Sequence, residues 1–434
     1  MSTIYCIYVR NHSESGTFSG VMVDLDRITQ LGVDWLWFMP IHPIGQRHKK
    51  GELGSPYAIR DYRAINPEYG TIADFQELLE QAHRRELKVM IDVVFHHTAH
   101  DSLLVTDHPD FFYRTVEGTF GNKVGDWTDI IDLDFTQQQL WQELISSLVY
   151  WLELGVDGFR CDVASLIPLQ FWEEARRQLE QVNPNVVLLA ESIHGEFVHY
   201  MRSRGFVAHA DGELYPTFDL TYDYDVHQAF SDYVSGVQPL EHYLYAKRQQ
   251  LFRYAKGSRK LRFLENHDIP RAASLFADSL RLMNWTAFML FEQGTALLYA
   301  GQEARCQHLP NLFNRDPIDW SNLGSPLERL IRQMIALKKS AIMQFGHYEL
   351  AIASSKFGVI EASYQYNDEL VIGIFRVEVG GDSYPLQSAA LAKQQVNWGN
   401  YQCQNVLNGM IVNVQDGCVT LDDAPMILQI RKKG

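Results

Sequence analysis

The sequence is poor in cysteine. Cys6, Cys161, Cys306, Cys403 and Cys418 are scattered over 434 residues, odd in number and without CxxC spacing. That pattern excludes a disulfide scaffold and a cysteine-built zinc site, and it fits reduced thiols. Positive charge is also short: Lys and Arg number 38 against 53 Asp and Glu, a formal net charge of −15. A phosphate backbone requires basic surface, so a nucleic-acid partner is excluded. No run approaches the roughly 18 uncharged apolar residues of a membrane span. The opening MSTIYCIYVRNHSES has no basic segment leading into a long apolar core, so no secretory leader is expected. A cytoplasmic location, with no membrane partner, is the resulting expectation.

What is present is an ordinary globular composition, 46% hydrophobic and 21% charged, in a chain long enough for two or three domains. The first 340 or so residues alternate between two periods. Residues 4–10 (IYCIYVR) read as a strand, 21–32 as a helix burying Val21, Leu25, Ile28 and Leu31, and 33–40 as a strand stopped by Pro40. Residues 71–86 open with Thr71 and Asp74 in capping-box spacing and bury Phe75, Leu78, Leu79 and Ala82. The apolar run 87–95 suits a strand covered on both faces. Helices at 137–153, 168–182 and about 279–293 then alternate with strands at 156–162, 186–191, 261–266 and 295–303.

Such alternation predicts a parallel sheet with helical crossovers. Eight strand candidates, the sixth weakly marked within 206–220, favour an α/β fold of closed (β/α)8 TIM-barrel type over an open doubly wound sheet. After about residue 345 the period drops to two, with a turn at Asn367-Asp368, which predicts an antiparallel β-sandwich. The expected organisation is a barrel over 1–97 and 137–344, an inserted subdomain over 98–136, and a C-terminal β-sandwich domain over 345–434.

Polar residues at the C-terminal ends of barrel strands tend to be functional. Here they are Asp92 and His97 after the third strand, Arg160 and Asp162 after the fourth, Glu191 after the fifth, and His267 and Asp268 after the seventh. A lone strand-end Asp is ordinarily a cap or half of an ion pair. Four carboxylates converging with an arginine and two histidines are hard to explain as packing. Arg160 and Asp162 sit two residues apart on one strand and so point to the same side.

The segments DVVFHH (92–97), GFRCDVAS (158–165), LLAES (188–192) and FLENHD (263–268) resemble the four ordered signature regions of the α-amylase family of glycoside hydrolases. SPYAIRDYRAINPEYGT (55–71), LYAGQE (298–303) and LFNRDPIDW (312–320) support the resemblance. It implies a retaining α-glycosidase acting on an α-glucan oligosaccharide, with Asp162 as nucleophile, Glu191 as general acid/base and Asp268 stabilising the transition state. It further implies that Arg160 holds Asp162, that Asp92 is an orienting carboxylate, that His97 and His267 bind the sugar, and that Tyr57 stacks on it. A cation near Asp162 favours its charged form, and an apolar setting with a carboxylate neighbour raises Glu191, as the two roles require.

The match departs from the family at specific positions. His96 stands where the family usually has an asparagine, a calcium ligand in many members, and imidazole is a poor ligand for that hard cation. No calcium is expected there, and no cofactor or metal elsewhere. His96 and His100, at helical spacing, form a less favoured transition-metal pair. Ser165 and Leu166 replace the Lys-His of endo-acting amylases, and Ile193 replaces the tryptophan of cyclodextrin- and pullulan-degrading relatives. Short maltodextrins are therefore the expected substrates. A transglycosylase using the same residues is the nearest rival. A non-catalytic binding member would be expected to lose carboxylates, and this chain keeps Asp162, Glu191 and Asp268.

Overall fold

Eight parallel strands close on themselves in the computed structural model, which describes residues 3–352, 357–388 and 401–432. In chain order the strands are β1 (Thr3–Ile7), β2 (Trp35–Phe38), β3 (Lys88–Val93), β4 (His97–Ala99), β5 (Ile130–Asp132), β6 (Gly158–Cys161), β7 (Val187–Ala190), β8 (Leu220–Tyr222), β9 (Lys260–Arg262) and β10 (Thr295–Tyr299). The barrel runs β1–β2–β3–β6–β7–β8–β9–β10 and back to β1; β4 and β5 pair antiparallel outside it. This is the TIM barrel expected from the sequence.

Local chemistry sets the crossovers. The helix Ile72–Arg84 begins at Thr71, whose hydroxyl accepts from the Asp74 N–H while the Asp74 carboxylate accepts from the Thr71 N–H. Phe75, Leu78, Leu79 and Ala82 form its buried face. β3 is buried everywhere except Lys88, as a strand covered on both faces must be.

Two expectations need correction. The first strand stops at Ile7, and Val9–His12 turn into a short helix. Arg10 is the reason: its guanidinium is fully buried and donates to both oxygens of Glu68, each at 2.8 Å, which draws the chain out of the strand path. The sixth strand is not within 206–220 but is the three-residue β8, because most of that stretch is loop and the helix Asp211–Leu214. Three residues are too few to show a period.

The C-terminal part contains β11 (His347–Ala351), β12 (Val359–Tyr366), β13 (Glu369–Arg376), β14 (Ser383–Pro385), β15 (Tyr401–Asn405), β16 (Val414–Gln415), β17 (Cys418–Thr420) and β18 (Met426–Lys432). They make a five-stranded antiparallel sheet, β11–β12–β13–β18–β15, and a three-stranded one, β14–β17–β16. Val359, Ile372, Leu428, Tyr384 and Val419 pack together in the core that these sheets share. The β12–β13 hairpin turns at Asn367-Asp368, with Asn367 at φ 52°, the left-handed conformation a tight hairpin demands. Residues 389–400 of the expected β domain lie outside the described residues.

Helix Ser279–Phe291 joins barrel to sheet. Phe288 and Phe291 meet Phe375 of β13 at 5.5 and 5.6 Å between ring centres, and Trp285 lies fully buried, stacked on Phe276 at 5.6 Å. Trp285→Ala is expected to cost about 3–5 kcal/mol, the range for emptying a buried aromatic site. A urea unfolding midpoint equal to that of the parent would show that this junction is not limiting for stability.

Candidate active site

The barrel ladder carries the site residues to one level. Beyond β6 the Asp162 N–H donates to the Val93 carbonyl at 2.9 Å, and beyond β7 the Glu191 N–H donates to the Cys161 carbonyl at 3.0 Å. Each acid is thus the first residue past its strand, still held by the neighbouring strand. Asp92 lies opposite Arg160 in the β3–β6 register.

Arg160 is the centre of the arrangement, with its side chain fully buried. Nη1 donates to both oxygens of Asp92, at 2.8 and 3.0 Å, and to Asp162 Oδ1 at 2.8 Å. Nη2 rests 2.8 Å from Glu191 Oε1 without the alignment of a hydrogen bond. Nε donates to the Tyr222 hydroxyl at 3.2 Å. The guanidinium also faces the rings of Trp37, Tyr57 and Tyr222 at 5.3–5.7 Å, which favours a cation there.

Beyond the apolar setting and carboxylate neighbour expected of it, Glu191 also shares Arg160 with Asp162. Burial still dominates and pushes Glu191 up to about 8. Arg160 pulls it down, and the charges of Asp162 and Asp268 push it further up. Burial raises Asp92 to about 7, while Arg160 and the Tyr57 hydroxyl pull against it. Burial lowers both His97 and His267, keeping the imidazoles neutral at neutral pH.

Tyr57 ties the opposite wall together. Its hydroxyl donates to Asp92 at 3.1 Å and lies 2.7 Å from His267 Nε2, and its ring stacks on His267 at 5.4 Å. His267 Nε2 is also 3.1 Å from Asp268 Oδ2. Asn266 builds the turn that presents Asp268, its side-chain oxygen accepting from the N–H groups of Asp268 and Ile269. Below the turn, buried Glu265 pairs with Arg271 at 2.6 Å. Asp268 is the exposed member of the set, its side chain 45% accessible against 9% for Asp162 and Glu191. A cavity of about 930 Å³ lies elsewhere, lined in part by Arg248, Phe252 and Phe345, and touches none of these carboxylates.

The profile of the α-amylase catalytic domain matches residues 8–114 and 124–325, and that of the bacterial α-amylase C-terminal domain matches 351–428. The chain belongs to the α-amylase family. Among solved structures it is similar to an α-amylase from Lactobacillus plantarum (40% identity, TM-score 0.92, 99% of this chain and 98% of that one). It is also similar to a maltogenic α-amylase from Thermotoga neapolitana (30% identity, TM-score 0.85, 99% and 98%). A curated relative, α-amylase 3 of Dictyoglomus thermophilum, is 25% identical over 73% of this chain and 67% of its own length. The α-1,4-glucan:maltose-1-phosphate maltosyltransferase of Myxococcus xanthus is 32% identical over 39% of this chain, but the match covers only 28% of that protein.

In this α-amylase-family site, four contributors escaped the sequence reading as site residues. Trp37 falls within the expected strand 33–40, and neither it nor Tyr222 is marked by the sequence as a wall around Arg160. Asn266 sat unremarked inside FLENHD. Val163 follows Asp162 at φ 35°, a strained conformation for a β-branched residue, and its N–H donates to Glu191 Oε2 at 2.8 Å. Only the last carries no sequence signal. Trp127 lies 5.4 Å from the His97 ring, whereas the Trp320 ring packs under Arg27 at 4.6 Å and its indole N–H donates to the His12 carbonyl, away from the carboxylates.

Arg160→Lys keeps the charge but not the fork, so one ammonium replaces two nitrogens that meet three acids. Turnover of an aryl α-glucoside is expected to fall by about 100-fold or more, the scale of an ångström-level misplacement, with the circular dichroism spectrum unchanged. Near-parental turnover would show that charge alone suffices.

Proposed function

We propose that this protein is a retaining α-glycosidase that hydrolyses α-glucosidic bonds of maltodextrins or related short α-glucans through a covalent glucosyl-Asp162 intermediate. The observation that carries the reading is the single buried guanidinium contacting both Asp162 and Glu191. Two carboxyls that both meet one guanidinium support the close pairing of retention, at roughly 5–5.5 Å, over the roughly 6.5–9.5 Å that leaves room for an intervening water.

In the first step Asp162 attacks the anomeric carbon while Glu191 gives its proton to the leaving oxygen. In the second, Glu191 takes a proton from water, which attacks the same carbon and releases Asp162. Asp268 and His267 together, with His97 across the site, bind the hydroxyls of the distorted sugar, and Tyr57 faces its ring. Asp92 orients Arg160. Every bond change is carried by carboxyl groups and water, and the proposal includes no cofactor. Five free thiols fit a reducing compartment, so cytoplasmic action on imported oligosaccharides belongs to the same proposal; no helix among the described residues is long and apolar enough to cross a membrane.

Similarity to maltosyltransferases favours a second reading, in which a sugar rather than water intercepts the glucosyl-enzyme. Maltotriose as sole substrate separates the two: products longer than the substrate mean transfer.

Asp162→Asn and Glu191→Gln are each expected to lower kcat on an aryl α-glucoside by about 1,000-fold or more, since each removes a group essential to one step. Near-normal turnover in either overturns the roles. The first product released should be the α-anomer by proton NMR, and a β-anomer would establish inversion. The pH profile tests the acid. Glu191 is raised to about 8, so it keeps its proton well above the usual range near 4.3. Activity should persist through neutrality and fall as pH rises through about 8, as the acid form is lost. An alkaline limb already complete below neutrality would contradict that assignment.

A further inference from the structure

The family resemblance implies calcium beside the third barrel strand, and the residues here do not fit it. His96 Nδ1 lies 3.3 Å from His97 Nδ1 and 3.6 Å from Asp132 Oδ1. One ligand atom from each of the three residues lies within 4.8 Å of the others, and all three residues are buried. Calcium takes six to eight oxygens; this cluster offers two imidazole nitrogens and one carboxylate oxygen.

The same cluster has the marks of a site for a softer ion. Asp132 is fully buried, yet its Oδ1 has no hydrogen bond, while Oδ2 accepts from the Lys123 N–H at 2.7 Å. No Lys or Arg nitrogen among the described residues forms an ion pair with it; the Lys123 ammonium turns instead to the Leu133 carbonyl at 3.4 Å and the Tyr113 ring. The Lys123 ammonium acts on Asp132 through its charge but without contact, and a buried carboxylate so partly compensated is costly. At 3.6 Å the His96–Asp132 contact is too long for a hydrogen bond. Ligands about 2.0–2.1 Å from a tetrahedral zinc stand roughly 3.3 Å apart, close to both spacings seen here.

The backbone pre-forms the arrangement, because His97 and Asp132 are directly opposed partners in the β4–β5 ribbon. His100, the other histidine weighed as a ligand, is drawn away to the Thr128 carbonyl at 3.2 Å and the His48 ring.

We propose that His96, His97 and Asp132 bind a borderline divalent transition ion of the zinc class in place of calcium. The ion pins the inserted ribbon to the end of β3 and orients His97 through Nδ1.

Chelator-stripped protein, with its fold checked by circular dichroism, is incubated with ZnCl2 or CaCl2, gel-filtered and assayed for bound metal by mass spectrometry. One zinc and no calcium per chain is the expected result. His96→Asn and Asp132→Asn should each reduce retained zinc by an order of magnitude or more. Loss of all zinc from the parent on filtration, retention of calcium instead, or equal zinc in folded variants would overturn the proposal. Should a variant fail to fold, the parent loaded with Co2+ decides: intense visible bands of four-coordinate cobalt support the site, and the weak spectrum of six-coordinate cobalt refutes it. Uptake is read without substrate, so its failure leaves the glycosidase reading standing.

Discussion

One positive charge faces three carboxyl groups in the buried end of this barrel. Arg160 contacts Asp92, Asp162 and Glu191, each at 2.8 Å. In a medium of low dielectric a single cation cannot offset three anions, so the cluster lowers its energy by keeping a proton. Neighbours decide where that proton resides. Asp92 has two contacts with Nη1 and a phenol hydrogen bond; Asp162 has an aligned hydrogen bond to Nη1. Glu191 has an unaligned contact with Nη2 and one backbone N–H. Glu191, with the weakest compensation, is raised to about 8 and Asp92 to about 7, which suits Glu191 to the acid role proposed for it.

The barrel makes this concentration of charge possible by spreading its anchors over several strands. Asp92 is on β3, Arg160 on β6, Glu191 past β7, and the Tyr222 that braces Arg160 on β8. Parallel register sets their heights, so no loop has to hold the carboxylates in place. Loops supply what must adapt: Asp268, the most accessible member, is carried on the Asn266 turn. The inserted segment closes the mouth from the side. Val124 and Trp127 pack with Val163, Ile193 and Val198, so residues just past Asp162 and Glu191 share one apolar cluster with the insertion.

Much of this was legible in the sequence because it rests on period and placement. The buried strands, the Thr71–Asp74 box and the Asn367 turn follow from local rules, and polar residues closing apolar strands marked the site. What escaped was set by distant partners. The excursion of the chain at Arg10 depends on Glu68, 58 residues away. β8 is held by its neighbours rather than by its own three residues. The tie between Arg160 and Glu191 exists only once β6 and β7 are aligned, and the φ of Val163 only once its N–H is committed to Glu191. Likewise His96 signalled a missing calcium ligand and, with His100, a less favoured metal pair. Its relation to Asp132, 36 positions on, arises from the β4–β5 pairing.

A second buried charge cluster shows that burial alone does not raise a carboxyl. Between β8, β9 and the helix Leu240–Arg253, Asp223 is as enclosed as Glu191, yet it is held well below the usual carboxylate range because Arg262 and Lys247 outweigh desolvation. Those cations touch it at 2.6 Å each, and Gln250 adds a hydrogen bond at 2.7 Å. Glu191 has part of one shared guanidinium and two carboxylates at its back. The ratio of cations to carboxyls, more than depth, separates a structural ion network from a reactive one. It follows that the reactive cluster is the less stable arrangement and depends on the surrounding barrel, while the network around Asp223 lies within that barrel and helps to keep it rigid.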